Sequence, residues 1–365
     1  MAARLRNVKP RVLLAVLAGV LILSTPARAA PGGFLASSIA WLDAADGAVF
    51  GYGCGTEMCP QLRATSDGGA TWRTLAAPDV KLPDNHNQVK LTLIDHQIGY
   101  ITDGTSLWAT TNGSRSWDKL TFSGVADGHF IGKVVVAHGH VYVMVHTYGE
   151  DGVTQLYESA LGRPALRPKP GYAAAGAMSY GDIAVDGDVI QVYLGADLAT
   201  AVYGYSTDGR RFTGAPLPCP VDNFAILAGI RDGHPIALCN SGGGSPSPGH
   251  MMRQVWMAPQ LGGEFGTVNP APALGITSGF GAASADDFVI AAVGGDVSIL
   301  HTSFDGGKSW DTRFLSERGF GIYDLGFVTG KIGYLIDGQP DTEGGSVVYR
   351  TADGGHTWNE FTVDR

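Results

Sequence analysis

Two acidic residues, Asp103 and Asp337, stand in closely matched settings. Ile98-Gly99-Tyr100-Ile101-Thr102-Asp103-Gly104 returns as Ile332-Gly333-Tyr334-Leu335-Ile336-Asp337-Gly338. Opposed carboxylates are what a glycoside hydrolase uses, one as acid and the other as base or nucleophile. Asp-Gly is also a turn signal, so a structural role competes with the chemical one. His86, His129 and His146 supply nitrogens of the kind a metal takes, but no close ligand spacing joins them. No metal is therefore expected. Tyr148, with Tyr142, Tyr157 and Trp108, offers rings on which a sugar or peptide could stack. No phosphate-binding loop, dinucleotide fingerprint or G-x-S-x-G elbow occurs, and no cofactor is expected.

The elements that must hold these residues repeat. Thr65-Ser66-Asp67-Gly68-Gly69-Ala70-Thr71-Trp72 returns as Thr110-Thr111-Asn112-Gly113-Ser114-Arg115-Ser116-Trp117. It returns again as Ser303-Phe304-Asp305-Gly306-Gly307-Lys308-Ser309-Trp310 and Thr351-Ala352-Asp353-Gly354-Gly355-His356-Thr357-Trp358. A shortened copy runs from Ser206 through Asp208 to Phe212. Asp305 and Asp353 are 48 residues apart, and the wider gaps are about twice that, so degraded copies are expected near residues 160 and 257. That makes seven units. Each holds four short apolar runs separated by turns, the pattern of a propeller blade.

The repeated S/T-x-D-x-G-x-S/T-W motif resembles the Asp box, or BNR repeat, of sialidases, sortilin-type receptors, Asp-box xyloglucanases and photosystem II assembly-factor propellers. The resemblance implies an all-β fold, a seven-bladed β-propeller of four-stranded antiparallel blades with Asp-box hairpins. The blades fall at residues 36–76, 88–123, 129–170, 180–218, 222–270, 275–316 and 320–363. The motif occurs in enzymes and in binders alike. Its chemistry is that of a turn: Asp and Ser/Thr oxygens accept backbone N–H groups, glycine takes positive φ, and Trp packs against the blade. Asp67, Asp208, Asp305 and Asp353, and the uncharged Asn112, read as structural, as do Trp72, Trp117, Trp310 and Trp358.

The resemblance also implies that a site would lie on the face carrying the loops between second and third strands and the links between blades. Asp103, Asp337, His86, His129, His146, Tyr148, Arg253 and Arg318 map there. Most other arginines, among them Arg73, Arg115, Arg210, Arg211 and Arg313, flank the Asp turns on the opposite side. The early Arg-Ile/Leu-Pro motif of sialidases is absent, and three arginines for a sialate carboxylate cannot be gathered. The largest insertion on this face, 240–252, is rich in Gly, Ser and Pro and reads as a flexible loop.

Composition agrees with many short strands. There are 53 glycines in 365 residues, and charged residues make up only 16%. Arg4, Arg6, Lys9 and Arg11 precede an apolar run over 12–23 and Ala27-Arg28-Ala29, so residues 1–29 read as a signal peptide and 30–365 as one domain. An uncleaved anchor is the alternative. Cleavage removes those four cations and Arg28, taking the net charge from −9 to −14. Nucleic acid and anionic membranes are poor partners for such a chain, and no membrane span is expected after cleavage. Cys54, Cys59, Cys219 and Cys239 form an even set in an exported chain. The C-x4-C spacing pairs Cys54 with Cys59, leaving Cys219 for Cys239; spacing for a zinc ribbon is lacking. The expectation is a secreted or extracytoplasmic, monomeric, non-catalytic propeller that presents a surface to a protein, peptide or glycan. The alternative is a glycan-acting hydrolase using carboxylates at the tunnel mouth.

Overall fold

The computed structural model describes residues 33–53, 58–83, 88–241, 247–342 and 344–363. The expected signal peptide, Cys54 and His86 lie outside the described residues. The described chain is all strand and turn, in seven antiparallel sheets that succeed one another as the blades of a β-propeller.

Blade 1 is β1 (Leu35–Trp41), β2 (Gly47–Gly53), β3 (Cys59–Thr65) and β4 (Arg73–Leu75). Blade 2 is β5 (Lys90–Leu93), β6 (Gly99–Thr102), β7 (Leu107–Thr110) and β8 (Asp118–Lys119). A two-residue strand, β9 (Thr121–Phe122), follows. Blade 3 is β10 (Phe130–Ala137), β11 (His140–His146), β12 (Val153–Ala160) and β13 (Ala165–Ala175). Blade 4 is β14 (Tyr180–Asp186), β15 (Val189–Ala196), β16 (Thr200–Ser206) and β17 (Thr213–Gly214). Blade 5 is β18 (Asn223–Arg231), β19 (His234–Ser241), β20 (Arg253–Met257) and β21 (Gly266–Thr267). Blade 6 is β22 (Ile276–Ala282), β23 (Asp287–Gly294), β24 (Val297–Phe304) and β25 (Asp311–Ser316). Blade 7 is β26 (Ile322–Phe327), β27 (Gly333–Gly338), β28 (Ser346–Thr351) and β29 (Asn359–Glu360). Blade 3 departs from four strands, because β9 leaves blade 2 and pairs in parallel with β13.

Second strands show why these segments fold so. Every residue of β2 and of β27 is buried, since a blade has neighbours on both faces. Such strands read as nearly continuous apolar runs. Outer strands such as β8 and β29 are two residues long and exposed, which leaves little edge for stray pairing. The core is accordingly divided into seven clusters, one between each pair of adjacent blades.

The Asp turns behave as small hydrogen-bonded cages. The Asp67 carboxylate takes the Thr71 amide at 2.9 Å and the Thr71 hydroxyl at 2.6 Å. The Thr65 hydroxyl donates to Asp67 at 2.7 Å and accepts the Gly69 amide at 2.9 Å. Gly68, at φ 71°, donates its amide to Ala45 in the first turn of the same blade. Asn112 accepts the Arg115 and Ser116 amides in the same place without charge. The degraded copies keep a tie near the first turn, with Leu161 bonded to Gly139 in that turn and Ala258 to Pro235 at the start of β19.

The aromatic after the turn packs against the preceding blade rather than its own alone. Trp117 donates Nε1–H to Ala76 at 2.9 Å, and Trp310 donates to Asn269 at 3.2 Å. Phe212 lies 4.7 Å from Tyr172 of blade 3, and Phe265 meets Tyr203 of blade 4 edge-on at 5.7 Å. Trp72 of blade 1 lies in one cluster with Tyr334 and Phe361 of blade 7. Among the described residues each terminal blade is built from one continuous stretch, so the ring closes by packing and by side-chain hydrogen bonds such as Ser346 to the Ala36 carbonyl, and not by a shared strand.

Candidate functional site

Antiparallel succession fixes the two faces. Loops between second and third strands share a face with the links from each blade to the next. First turns and Asp turns share the other. Among the described residues, the large apolar side chains left exposed are unevenly divided between them. Met58, Tyr148, Met178, Val221, Met252, Ile276 and Phe320 all belong to the loop face. Only Val202, on the third strand of blade 4, and Phe314, on the fourth strand of blade 6, lie elsewhere. From Tyr148 to Phe320 they follow one another over blades 3 to 7. Tyr148 is 73% exposed. An uneven distribution of this kind makes the loop face the candidate for an interaction surface.

From Met178 onward that arc is tied down beside its apolar residues. Met178 and Asp197 join the link into blade 4 to the blade 4 loop, amide to carbonyl at 3.2 Å and amide to carboxylate at 3.1 Å. Cys219–Cys239 joins the link into blade 5 to β19, with Cα atoms 5.5 Å apart, next to Val221. The Tyr180 hydroxyl lies 3.1 Å from the Val221 carbonyl. Arg253 is 3% exposed and turns its guanidinium inward, to the carbonyls of Met251, Ala273, Leu274 and Gly275. It joins the blade 5 loop to the link into blade 6, between Met252 and Ile276. Burial lowers its pKa to about 10. Below it His301, fully buried, meets the Leu274 carbonyl at 2.8 Å. Burial pulls that imidazole down to about 4. Arg318 joins the link into blade 7 to Asp337, and the Tyr323 hydroxyl donates to the Phe320 carbonyl.

Arg318 and Asp337, considered separately from sequence, are thus brought together, 3.4 Å apart. Asp337 is wholly buried and also accepts the Ser298 and Ser316 hydroxyls, each at 2.5 Å. Asp103 accepts the amides of Thr105 and Ser106 at 2.8 and 2.7 Å, closing its own turn. Burial, with the Asp103 charge nearby, pushes the Tyr52 hydroxyl pKa up. His146 bonds Thr154 at 2.9 Å and rests against Phe130, and burial lowers its pKa. His129 bonds the Ala126 carbonyl at 3.2 Å beside Phe122. Cys59 is disulfide-bonded. Among the described residues no group of three or more His, Cys, Asp or Glu is placed to hold a metal.

Sequence reasoning missed the polar ties between inner strands. Asp324, at φ 51° in a bulge of β26, takes the Ile39 amide at 2.9 Å and Lys90 at 2.5 Å. Asp182 takes the Leu227 amide at 2.8 Å and Lys133 at 3.1 Å. The available signal was an acid inside an apolar strand, in Tyr323-Asp324-Leu325 and Gly181-Asp182-Ile183.

No protein-family model matches the chain, and no curated protein matches it. Similar solved structures include a PL25 ulvan lyase, free and bound to -[GlcA(1-4)Rha3S]-. Both superpose with a TM-score of 0.50 at 10% identity, over 90% of this chain and 93% of the lyase. YCF48 bound to D1 peptide gives 0.45 at 14% identity over 90% and 95%. A Hadza microbial sialidase gives 0.42 at 14% identity over 72% and 68%. At such identity the likeness to the lyase is one of fold. No helix among the described residues is long and apolar enough to cross a membrane.

Proposed function

We propose that this is an exported, non-catalytic propeller whose loop face binds a protein or peptide. The observation that supports this reading is the arc of exposed apolar side chains from Tyr148 to Phe320, with a tie beside most of its members. Loops already held in place have less ordering cost to meet on binding. Asp337, Arg253 and Arg318 are spent on contacts within the fold, and Asp103 closes a turn. A disulfide linking buried cysteines suits an oxidising compartment outside the cytoplasm.

A displayed peptide library, panned on the wild-type protein and on a Tyr148→Ser/Phe320→Ser variant, tests the reading. Both residues are exposed, so the variant should fold normally. Selection of peptides that the variant no longer holds is the expected result. Turnover of any fluorogenic glycoside, lost in Asp103→Asn or Asp337→Asn, would establish the hydrolase alternative instead.

A further inference from the structure

The loop face differs from its opposite in charge as well as in apolar exposure. Asp79, Asp127, Glu150, Asp222, Asp296 and Glu317 are all exposed on its loops and links. The cations nearby are already engaged. Lys90 pairs with Asp324 and Lys133 with Asp182. Arg318 pairs with Asp337, and Arg253 is buried among carbonyls. Lys81 is the exposed cation left on this face among the described residues, and it lies between blades 1 and 2, outside the apolar arc. The opposite face mixes signs: Arg73, Arg115, Arg210, Lys308 and Lys331 are exposed there among its aspartates. Acids stand on both faces, but only on the loop face are they left without a matching set of exposed cations, and Glu150, Asp222, Asp296 and Glu317 lie along the apolar arc.

We propose that the loop face takes a cationic segment of a partner protein, one in which lysines or arginines flank bulky apolar anchors. This rests on the reading of that face as a protein-binding surface, and adds the chemistry of the occupant. Apolar side chains of the segment would sit on residues such as Met178, Met252 and Phe320. The flanking cations would face Asp222, Asp296 and Glu317, which stand on the links and loops beside those anchors. Opposite charge around an apolar centre selects the partner and speeds encounter, while like charge rejects the wrong one. An acidic glycan would meet repulsion from the same rim.

The test uses three synthetic peptides of one apolar pattern, with lysine, glutamine or glutamate at the intervening positions, titrated against the mature protein. The lysine peptide should bind at least about tenfold more tightly than the glutamate peptide. Its affinity should drop several-fold between about 50 and 300 mM salt. Asp222→Lys/Glu317→Lys should abolish the preference, while Asp118→Lys/Asp311→Lys, on the outer strands of blades 2 and 6, should leave it intact. An equal effect from the two double variants would overturn the inference, since net charge alone would then explain the binding. Equal affinity for all three peptides, or none for any, would overturn it too. Selection of uncharged peptides from the library would leave the broader protein-binding reading standing without it.

Discussion

Trp41 of blade 1 stacks on Tyr334 of blade 7, ring centroids 4.4 Å apart and planes 10° from parallel. The contact joins the first blade to the last, with Phe361 and Trp72 edge-on around it. Among the described residues no strand is exchanged across this seam, so aromatic packing, with the Asp324 tie to the Ile39 amide, stands in for the ladder hydrogen bonds that an exchanged strand would supply. Tyr334→Ala should cost about 4 kcal/mol, near the range for removing a buried aromatic side chain. Urea unfolding followed by tryptophan fluorescence would measure it. A loss below about 1 kcal/mol would mean that the seam contributes little to closure.

Cys219 and Cys239 are 20 residues apart in sequence and close a link against a core strand. A loop of that length is worth about 3 kcal/mol when cross-linked. Cys219→Ala/Cys239→Ala should lose that much stability and become sensitive to proteolysis near Val221. Mass mapping without reductant should show the wild-type pair linked. An unchanged unfolding midpoint in the double variant would remove the disulfide from any account of stability.

Stability should weaken on mild acidification. His301 is held near 4 in the fold, against an ordinary value of about 6.5. Between those pH values the unfolded chain binds a proton that the folded protein refuses. The contribution of neutral His301 is therefore complete above about pH 6.5 and declines toward pH 4, by up to about 3 kcal/mol. Buried His146 acts in the same direction. Urea titrations across that range should show the decline, and His301→Gln should flatten it. An identical slope in the variant would assign the effect to other groups.

The Asp turns set a second, lower acid limit. Hydrogen bonds from the Ser309 hydroxyl and amide hold the Asp305 carboxyl at about 2, and the Thr71 pair does the same for Asp67. Their stabilisation is present above the ordinary carboxylate pKa of about 3.9 and is lost as pH falls toward 2. Asp305→Asn copies what Asn112 does in blade 2. It should leave the melting temperature at neutral pH nearly unchanged and reduce its decline below about pH 4. A large loss at neutral pH would show that the charge itself, and not the turn geometry, is required.

The fold class was legible because Asp67, Asn112, Asp305 and Asp353 recur in phase, and turn chemistry depends on residue type. Cys219 and Cys239 were legible because thiols leave few partners. The fifth strand of blade 3 was not, since the pairing of Thr121–Phe122 with Ala165–Leu166 is long-range and follows from no local pattern. Arg253 was invisible as a tie for a different reason. Its partners are carbonyls of Met251, Ala273, Leu274 and Gly275, and every residue type carries a carbonyl. Sequence placed Arg253 and Arg318 on a face; only side-chain direction shows that they turn inward.

The backward reach of the side chain after each Asp turn gives the ring an order in time. Trp117, Phe212, Phe265, Trp310 and Trp358 each find their packing partners in a blade that a ribosome has already made. Trp72 is the exception. It emerges with the first blade, while Tyr334 and Phe361 belong to the last. During synthesis this indole, like Trp41 beside it, waits without its final partners through nearly the whole chain. The two earliest tryptophans complete the last contact, and until then they are where a nascent chain would most need a chaperone's cover.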